Sequence, residues 1–271
     1  MPLPSSGQIT INQIHVEAGG GSGSQAAIND ADIRDMIGKG STAQNAFNEY
    51  YGVSAAAPVA TYKGRTLTTG NGFPTGNVTL SSGSKLVVVT CQLAGSGNTY
   101  VSVGGVNATL AAKVDTAPTG GVWGAALTSA VYYLVTSASG STQITGNGGS
   151  GRSVTHVWEI TVYNSSTPTA TATAQNTDNT SFSKTISLST QYNGVTIGSG
   201  ITEDTNPAGS VTVSNSDTIQ QIDLESATNH FCWDDEGTAS GTTSYNCVQN
   251  NPASNIVAGS TIMQLAAAHW K

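Results

Sequence analysis

The chain has 271 residues, and charged residues make up only 9% of it, against the roughly 25% of ordinary soluble domains. A hydrophobic fraction of 37%, rich in Val and Ile, argues against disorder and for a β core. With nine Lys and Arg and a net charge of −7 there is no basic face to neutralise phosphates, which excludes nucleic acid as an expected partner.

The acidity reads as solubility. No stretch reaches the about 18 consecutive apolar residues of a membrane span. The opening Met1-Pro-Leu-Pro-Ser-Ser-Gly7 lacks the basic and apolar regions of a signal peptide, so synthesis in a cytoplasm is expected.

Residues 1–52 read as three short helices. In the first, Thr10 and Gln13 have capping-box spacing, Ile11 and Ile14 share a face, and Gly19 begins the stop. In the second, Asn29 is the expected cap, Asp30 and Asp32 lie in the first turn, Ile33 and Ile37 form the apolar side, and Gly38 ends it. In the third, Ser41 or Thr42 caps, Phe47, Tyr50 and Tyr51 are apolar, and Gly52 terminates. Between the first two, Ala18-Gly-Gly-Gly-Ser-Gly-Ser24 would be flexible in isolation. Helices of about ten residues bury too little to stand alone. They are therefore expected to dock on another surface through Ile11, Ile14, Ile33, Ile37, Phe47, Tyr50 and Tyr51, with residues 53–58 as a linker.

From Val59 onward the pattern is all β. Lys85 to Leu93 is a near-continuous apolar run, as in a buried central strand. Tyr100 to Val103 and Val106 to Leu110, joined by Gly104-Gly105, form a hairpin. Trp123 to Val135 is read as a strand because Tyr132, Tyr133 and Val135 favour β and Gly124 disfavours helix. Ser153 to Tyr163 alternates, with Val154, His156, Trp158, Ile160 and Val162 on one face. Ser165 to Ala174 reads as a connector interrupted by Pro168. Strands are expected again at Phe182–Leu188, Val195–Ile197, Val211–Val213 and Ile219–Leu224, and a closing one within Asn255–Trp270, whose end could also form a short helix. The fold class is thus mainly β: a small N-terminal module of short helices, then a large antiparallel β-sandwich, jelly-roll-like or Ig-like, over residues 59–271.

The opening Leu3-Pro-Ser-Ser-Gly-Gln-Ile-Thr-Ile-Asn-Gln-Ile14, with Ile28-Asn-Asp-Ala-Asp-Ile-Arg34 and the Phe47–Gly52 stretch, resembles the N-terminal module of tail and appendage proteins of tailed bacteriophages. Lys85-Leu-Val-Val-Val, Val101-Ser-Val-Gly-Gly-Val-Asn-Ala-Thr-Leu110, Val131-Tyr-Tyr-Leu134 and Arg152-Ser-Val154 resemble phage virion sandwiches. The resemblance implies a structural virion protein and a matching second half ending in an apolar strand, with halves near 59–164 and 175–271. Few charges and unpaired sandwich edges predict a homo-oligomer, and the resemblance adds a preference for a trimer, a ring in a tail or collar allowing six or twelve copies. Asn229 to Pro252 fits nothing in that pattern and reads as a long inserted loop.

Candidate chemistry is sparse. Gly146-Asn-Gly-Gly-Ser-Gly151 matches a dinucleotide fingerprint, but a strand follows where the mechanism needs a helix, so a glycine-rich hairpin loop is expected. The histidines supply at most two ligands of a zinc site, His230 with Cys232, where four are needed. No nucleophile elbow with a paired base is visible, so neither an enzyme nor a cofactor is expected. Asp234, Asp235 and Glu236 are weak calcium candidates, read first as a solvated loop face. Cys91 reads as a buried small hydrophobe, whereas Cys232 and Cys247 could pair in an oxidising exterior. Phe231, Trp233 and Tyr245 are either glycan-contacting loop aromatics or an apolar plug. Three functions compete: a structural virion component contacting other virion proteins, an appendage binding a host-surface receptor or glycan, and a polysaccharide depolymerase, which the 6% aromatic content disfavours.

Overall fold

The computed structural model describes residues 3–18, 21–30, 33–34, 36–37, 39, 44–51, 58–69, 74–96, 100–115, 127–146, 150–161, 163, 165–176, 182–191, 193–203, 210–224, 228–238, 241–250 and 263–271. The protein is mainly β, and every described strand pairing is antiparallel. One five-stranded sheet runs in the order β1 (Ala60–Thr68), β9 (Ser150–Ile160), β3 (Lys85–Ser96), β7 (Leu127–Thr136), β6 (Thr109–Asp115). A second runs β10 (Ala170–Asn176), β17 (Met263–Trp270), β12 (Val195–Glu203), β15 (Thr228–Glu236), β14 (Thr218–Leu224). Two smaller sheets complete the molecule: β2 (Thr75–Leu80), β8 (Gly140–Gly146), β4 (Val101–Val103), β5 (Val106–Asn107), and β11 (Ser183–Thr190), β16 (Gly241–Asn250), β13 (Ser210–Val213).

The buried clusters fix the layer order. Val78, Leu80, Val101 and Ile144 of the first small sheet pack on Val87, Val89 and Val157 of the first five-stranded sheet. The opposite face of that sheet, with Leu86, Val88, Trp158 and Ile160, meets Val195, Ile197, Ala266, Ala268 and Trp270 of the second. That sheet's far face, with Phe231, Trp233 and Leu265, meets Ile186, Leu188, Tyr245 and Cys247. Four layers are therefore stacked, and the two five-stranded sheets are inner layers covered on both sides.

This explains the run Lys85–Leu93. A strand alternates its side chains, and both faces of β3 are interior, so both series are apolar. Even the Lys85 side chain is buried, its ammonium donating to Gly83 O at 2.6 Å and Ala138 O at 2.8 Å. The expected hairpin forms between β4 and β5, with Gly104 at φ 57 and Gly105 at φ 81, the pair of positive values a type I′ turn requires.

The strand orders of the halves coincide. With β5 set aside, β10–β17 taken in sequence are the counterparts of β1–β4 and β6–β9. The order β1-β9-β3-β7-β6 then becomes β10-β17-β12-β15-β14, and β2-β8-β4 becomes β11-β16-β13.

Several expectations are corrected. Asn229 to Pro252 is no inserted loop over its described part: it forms β15 and β16, which lie in different layers. The expected connector ending at Ala174 becomes strand β10 from Ala170, paired with β17, because alternating Ala and Thr fit an edge strand once Pro168 is passed. The expected glycine-rich hairpin at Gly146 to Gly151 instead joins β8 in an outer sheet to β9 in an inner one. The closing segment is strand over Met263–Trp270; residues 251–262, Trp123 and Val162 lie outside the described residues. At the N-terminus α1 (Ile11–Glu17) has the expected capping box, Thr10 Oγ1 accepting from Gln13 N at 3.2 Å and Gln13 Oε1 from Thr10 N at 2.8 Å. In the second expected helix, Ile33–Arg34 are helical, Arg34 N donates to Asp30 O at 3.0 Å and Asn29 Oδ1 accepts from the Arg34 guanidinium at 3.0 Å, while residues 31, 32, 35 and 38 lie outside the described residues. The third is a single 3-10 turn, Phe47–Tyr50. Gly19, Gly38, Ser41, Thr42, Gly52 and the expected linker at 53–57 lie outside the described residues.

Two glycines make the second half's outer core possible. A Cβ at Gly198 would lie 2.0 Å from the Trp233 ring, and one at Gly200 would lie 2.1 Å from the Phe231 ring, because both rings lie flat on β12. Gly198→Ala or Gly200→Ala is expected to lower stability by about 2–3 kcal/mol through overpacking. Urea denaturation checks it, and a loss under about 0.5 kcal/mol, the size of an ordinary surface change, would contradict this packing.

Candidate functional site

Two regions bear on function: the N-terminal segment and the seam between the inner sheets. In the first, Ile14, Ile33 and Tyr50 form a small core with Leu3 and Ala18, and Ile11 and Ile37 pack partly against it. Five of the seven expected docking residues thus face this segment's own interior, which corrects the expectation that they present a shared outward face. Phe47 and Tyr51 remain on the surface, 43% and 36% exposed, with Val16 at 40%. The glycine-rich segment is tied down, since Gly23 N donates to Asn12 Oδ1 at 2.8 Å and His15 Nε2 meets Ser24 Oγ at 2.7 Å. An open groove of about 290 Å³ is lined by Leu3, Pro4, Asn12, Gln13, Val16, Glu17 and Ser22.

The residues proposed for host contact sit elsewhere than expected. Phe231, Trp233 and Tyr245 are fully buried, with ring centroids 6.1 Å apart for Phe231–Trp233 and 6.0 Å for Trp233–Tyr245. They fill a core between layers and cannot touch a glycan. Cys232 and Cys247 are free thiols rather than a disulfide, because Cys232 points into the core between the inner sheets and Cys247 into the outer one. Burial raises both thiols, and pushes Cys91 up to about 12.

The carboxylates do not converge on an ion. Asp234 Oδ1 accepts from Thr218, Asp235 Oδ2 from Tyr245 Oη at 2.7 Å, and Glu236 Oε1 from Ala60 N at 2.5 Å. Among the described residues no group of three or more His, Cys, Asp or Glu is placed to hold a metal. Nor are they a fully solvated loop face: they end β15, Asp234 is buried, and burial raises its carboxyl to about 6.

The seam between the inner sheets is the feature the sequence reading missed. Gln92 Nε2 on β3 donates to Ser199 Oγ on β12 at 2.8 Å and to Phe231 O on β15 at 3.2 Å, and Ser129 Oγ on β7 donates to Ser199 Oγ at 2.8 Å. Alongside lie His156 on β9 and His230 on β15, both 0% exposed. His156 Nδ1 contacts Tyr62 Oη at 3.0 Å, and His230 Nε2 contacts Thr228 Oγ1 at 3.2 Å. The other ring nitrogens, His156 Nε2 and His230 Nδ1, have no hydrogen-bond partner, nor does Gln92 Oε1. Burial lowers both imidazoles to about 3, and the nearby positive charge of Arg65 and Arg152 adds to the shift. Elsewhere, His269 Nε2 accepts from Gln191 N at 2.9 Å, which assigns the proton to Nδ1, and burial lowers it to about 4. The period-two reading placed His156 on a strand face, but a lone histidine carries no signal of which layer that face meets.

These histidines set an acid limit on stability. The folded chain holds them neutral below the ordinary 6.5, whereas the unfolded chain protonates there, so their stabilisation is present above 6.5 and lost as pH falls toward 3 to 4. Asp234, raised from 3.8 to about 6, and Asp235, which burial also raises, act oppositely, but they are two groups against three. Urea midpoints are expected to hold from pH 8 to 7 and then fall, by at most about 1.4 kcal/mol per histidine per pH unit. A flat profile to pH 4 would refute it. Added calcium is expected to leave the melting temperature unchanged, as each carboxylate is already engaged; a calcium-dependent rise would reinstate a metal site.

No helix among the described residues is long and apolar enough to cross a membrane. Compared with known proteins, the chain matches no family model, no curated protein and no solved structure, so its own residues are what bear on function.

Proposed function

We propose that the chain is a structural component of a tailed-phage virion, docked through residues 1–52 to a tail or neighbouring particle protein, with its β body making contacts between copies. The observation that carries this reading is the N-terminal segment. Among the described residues its buried cluster comprises Leu3, Ile14, Ala18, Ile33 and Tyr50, all of its own. So small a core is marginal alone, and Val16, Phe47 and Tyr51 stay uncovered beside it. A partner surface that covers those three side chains supplies the missing burial.

Each half of the β body is, in this proposal, a jelly-roll sandwich. The first and last strands of each half pair (β1 with β9, β10 with β17), while the second and second-last pair in the facing sheet (β2 with β8, β11 with β16), which is the wrapping of that fold. The outer sheets of such a body end at β2, β5, β11 and β13. Unpaired edges favour self-association, and a low charge content offers little repulsion against it. A homo-oligomer, a trimer by preference, is the form proposed for the virion. The receptor-binding alternative loses its named contacts, since Phe231, Trp233 and Tyr245 are interior.

Deleting residues 1–58 is expected to abolish incorporation into particles while the remaining chain folds. Phe47→Ala with Tyr51→Ala is expected to reduce incorporation at least tenfold, about 1.4 kcal/mol of docking. Quantitative mass spectrometry of purified particles reads both, and normal stoichiometry of the truncated chain would overturn the docking role. Mass measurement on residues 59–271 reads the oligomer, and a strict monomer at high concentration would remove the β body from self-association.

A further inference from the structure

We propose that the seam between the two inner sheets is an acid-opened interface: proton uptake by His156 and His230 separates the halves while each half keeps its own outer core. Three observations carry this. First, among the described residues the β body has three large apolar cores. One belongs wholly to the first half, with Val78, Val87, Val103 and Ile144, and one wholly to the second, with Ile186, Val211, Phe231 and Tyr245. The third is shared, Leu86, Val88, Trp158 and Ile160 against Val195, Ile197, Ala268 and Trp270, and the small contact of Leu127 with Ile201 joins the same two inner sheets. Parting the inner sheets therefore exposes one core and leaves two intact.

Second, the shared layer holds several buried polar atoms without a hydrogen-bond partner. His156 Nε2, His230 Nδ1 and Gln92 Oε1 all lack partners, on strands from both halves. A second proton on either ring would place a charge in the seam that only water can solvate well. The bonds between halves inside the seam, Gln92 to Ser199 and Phe231 O and Ser129 to Ser199, are neutral, individually weak, and replaceable by water, while the one to a carboxylate, Ala60 N to Glu236 Oε1, lies at the strand ends.

Third, among the described residues the charges that act on the two rings are positive. On β1, Tyr62 contacts His156, and the Arg65 charge acts on it; on β9, the Arg152 charge acts on His230; and each histidine, once protonated, adds to the same sign. On β15, Cys232 is a buried thiol held neutral, and the Asp234 carboxyl, raised to about 6, is itself protonated in the range where the histidines would charge. From β3, β7 and β12 the seam receives Gln92, Thr90, Ser129 and Ser199, none of which titrates. Opening is expected below the ordinary histidine value of 6.5 and by pH 4, above the value of about 3 at which the closed seam itself would accept protons.

The three free cysteines report on the three cores separately: Cys91 in the first outer core, Cys232 in the seam, Cys247 in the second outer core. The test uses the full wild-type chain, pulsed with a dipyridyl disulfide, which labels thiols even in acid, between pH 7.5 and 4, with each cysteine read by peptide mass. Labelling of Cys232 is expected to accelerate by at least tenfold per pH unit once histidine protonation drives opening, while Cys91 and Cys247 change less than about twofold over the same range. Simultaneous exposure of all three means global unfolding and overturns the proposal, as does protection of Cys232 down to pH 4. The variant His156→Gln with His230→Gln is expected to move Cys232 exposure down by at least one pH unit. A folded variant whose Cys232 exposure keeps the wild-type midpoint also overturns it, and should the variant not fold, the wild-type labelling pattern decides alone.

Discussion

Burial of two sheets on both faces is the constraint from which the rest of the structure follows. A strand with water on one side can place a charge on every second residue; β3, β9, β12, β15 and β17 have almost no such positions. Nearly every described side chain of Met263–Trp270 and of Lys85–Leu93 is interior. Charge is tolerated only at strand ends, where it can be matched. Lys85 meets two carbonyls, and Glu159 accepts from Ser81 N at 2.9 Å and pairs with Lys63. The low charge content is therefore a consequence of architecture: four layers in one chain leave proportionally little outward strand surface to charge.

The two halves solve the same topology with different side chains. The first outer core is packed with aliphatic residues, Val78, Leu80, Val87, Val89 and Ile144. The second uses Phe231, Trp233 and Tyr245, and makes room for two of these rings by thinning β12 at Gly198 and Gly200. Interior density has to be met in either case, so large rings on one strand demand vanishing side chains on its neighbour. The cost is glycine in a strand interior, with its extra backbone freedom in the unfolded chain, offset here by the area the rings bury.

Legibility in the sequence tracked how many faces of a strand are buried. Lys85–Leu93 stood out because both faces are interior, and the Gly104-Gly105 hairpin because its turn chemistry is local. Strands β2, β8 and β16 went unseen because their outward residues are Thr, Asn, Gln and Ser, so composition alone resembled loop. The same camouflage turned β15 and β16 into an imagined insertion carrying surface aromatics. Cys232 and Cys247 are close enough in sequence to suggest pairing, yet alternation sends Cys232 into the seam while Cys247 lies in another layer. At the N-terminus the α1 cap was readable from Thr10 and Gln13, whereas the third helix was over-read, since capping residues and a few apolar positions do not by themselves guarantee more than a turn. The seam was illegible for a deeper reason. Its polar residues are separated in sequence by up to 139 positions, as Gln92 and Phe231 are, and only knowledge of which sheets stack brings them together.

That seam differs in kind from the cores on either side of it. Aliphatic and aromatic residues dominate both outer cores, whereas the shared layer interrupts its apolar contacts with Thr90, Gln92, Ser129, His156, Ser199 and His230. A layer of apolar residues of the same volume would hold the halves together at least as firmly, because buried polar groups seldom recover their full desolvation cost. What the polar residues add is directionality: Ser199 must sit where Gln92 and Ser129 can both reach it, which fixes how one sheet lies across the other. An interface built that way gives up some cohesion for alignment, and it is also the layer whose integrity depends most on the neutrality of its side chains. Both properties fall on the one surface through which two similarly wound halves become a single body.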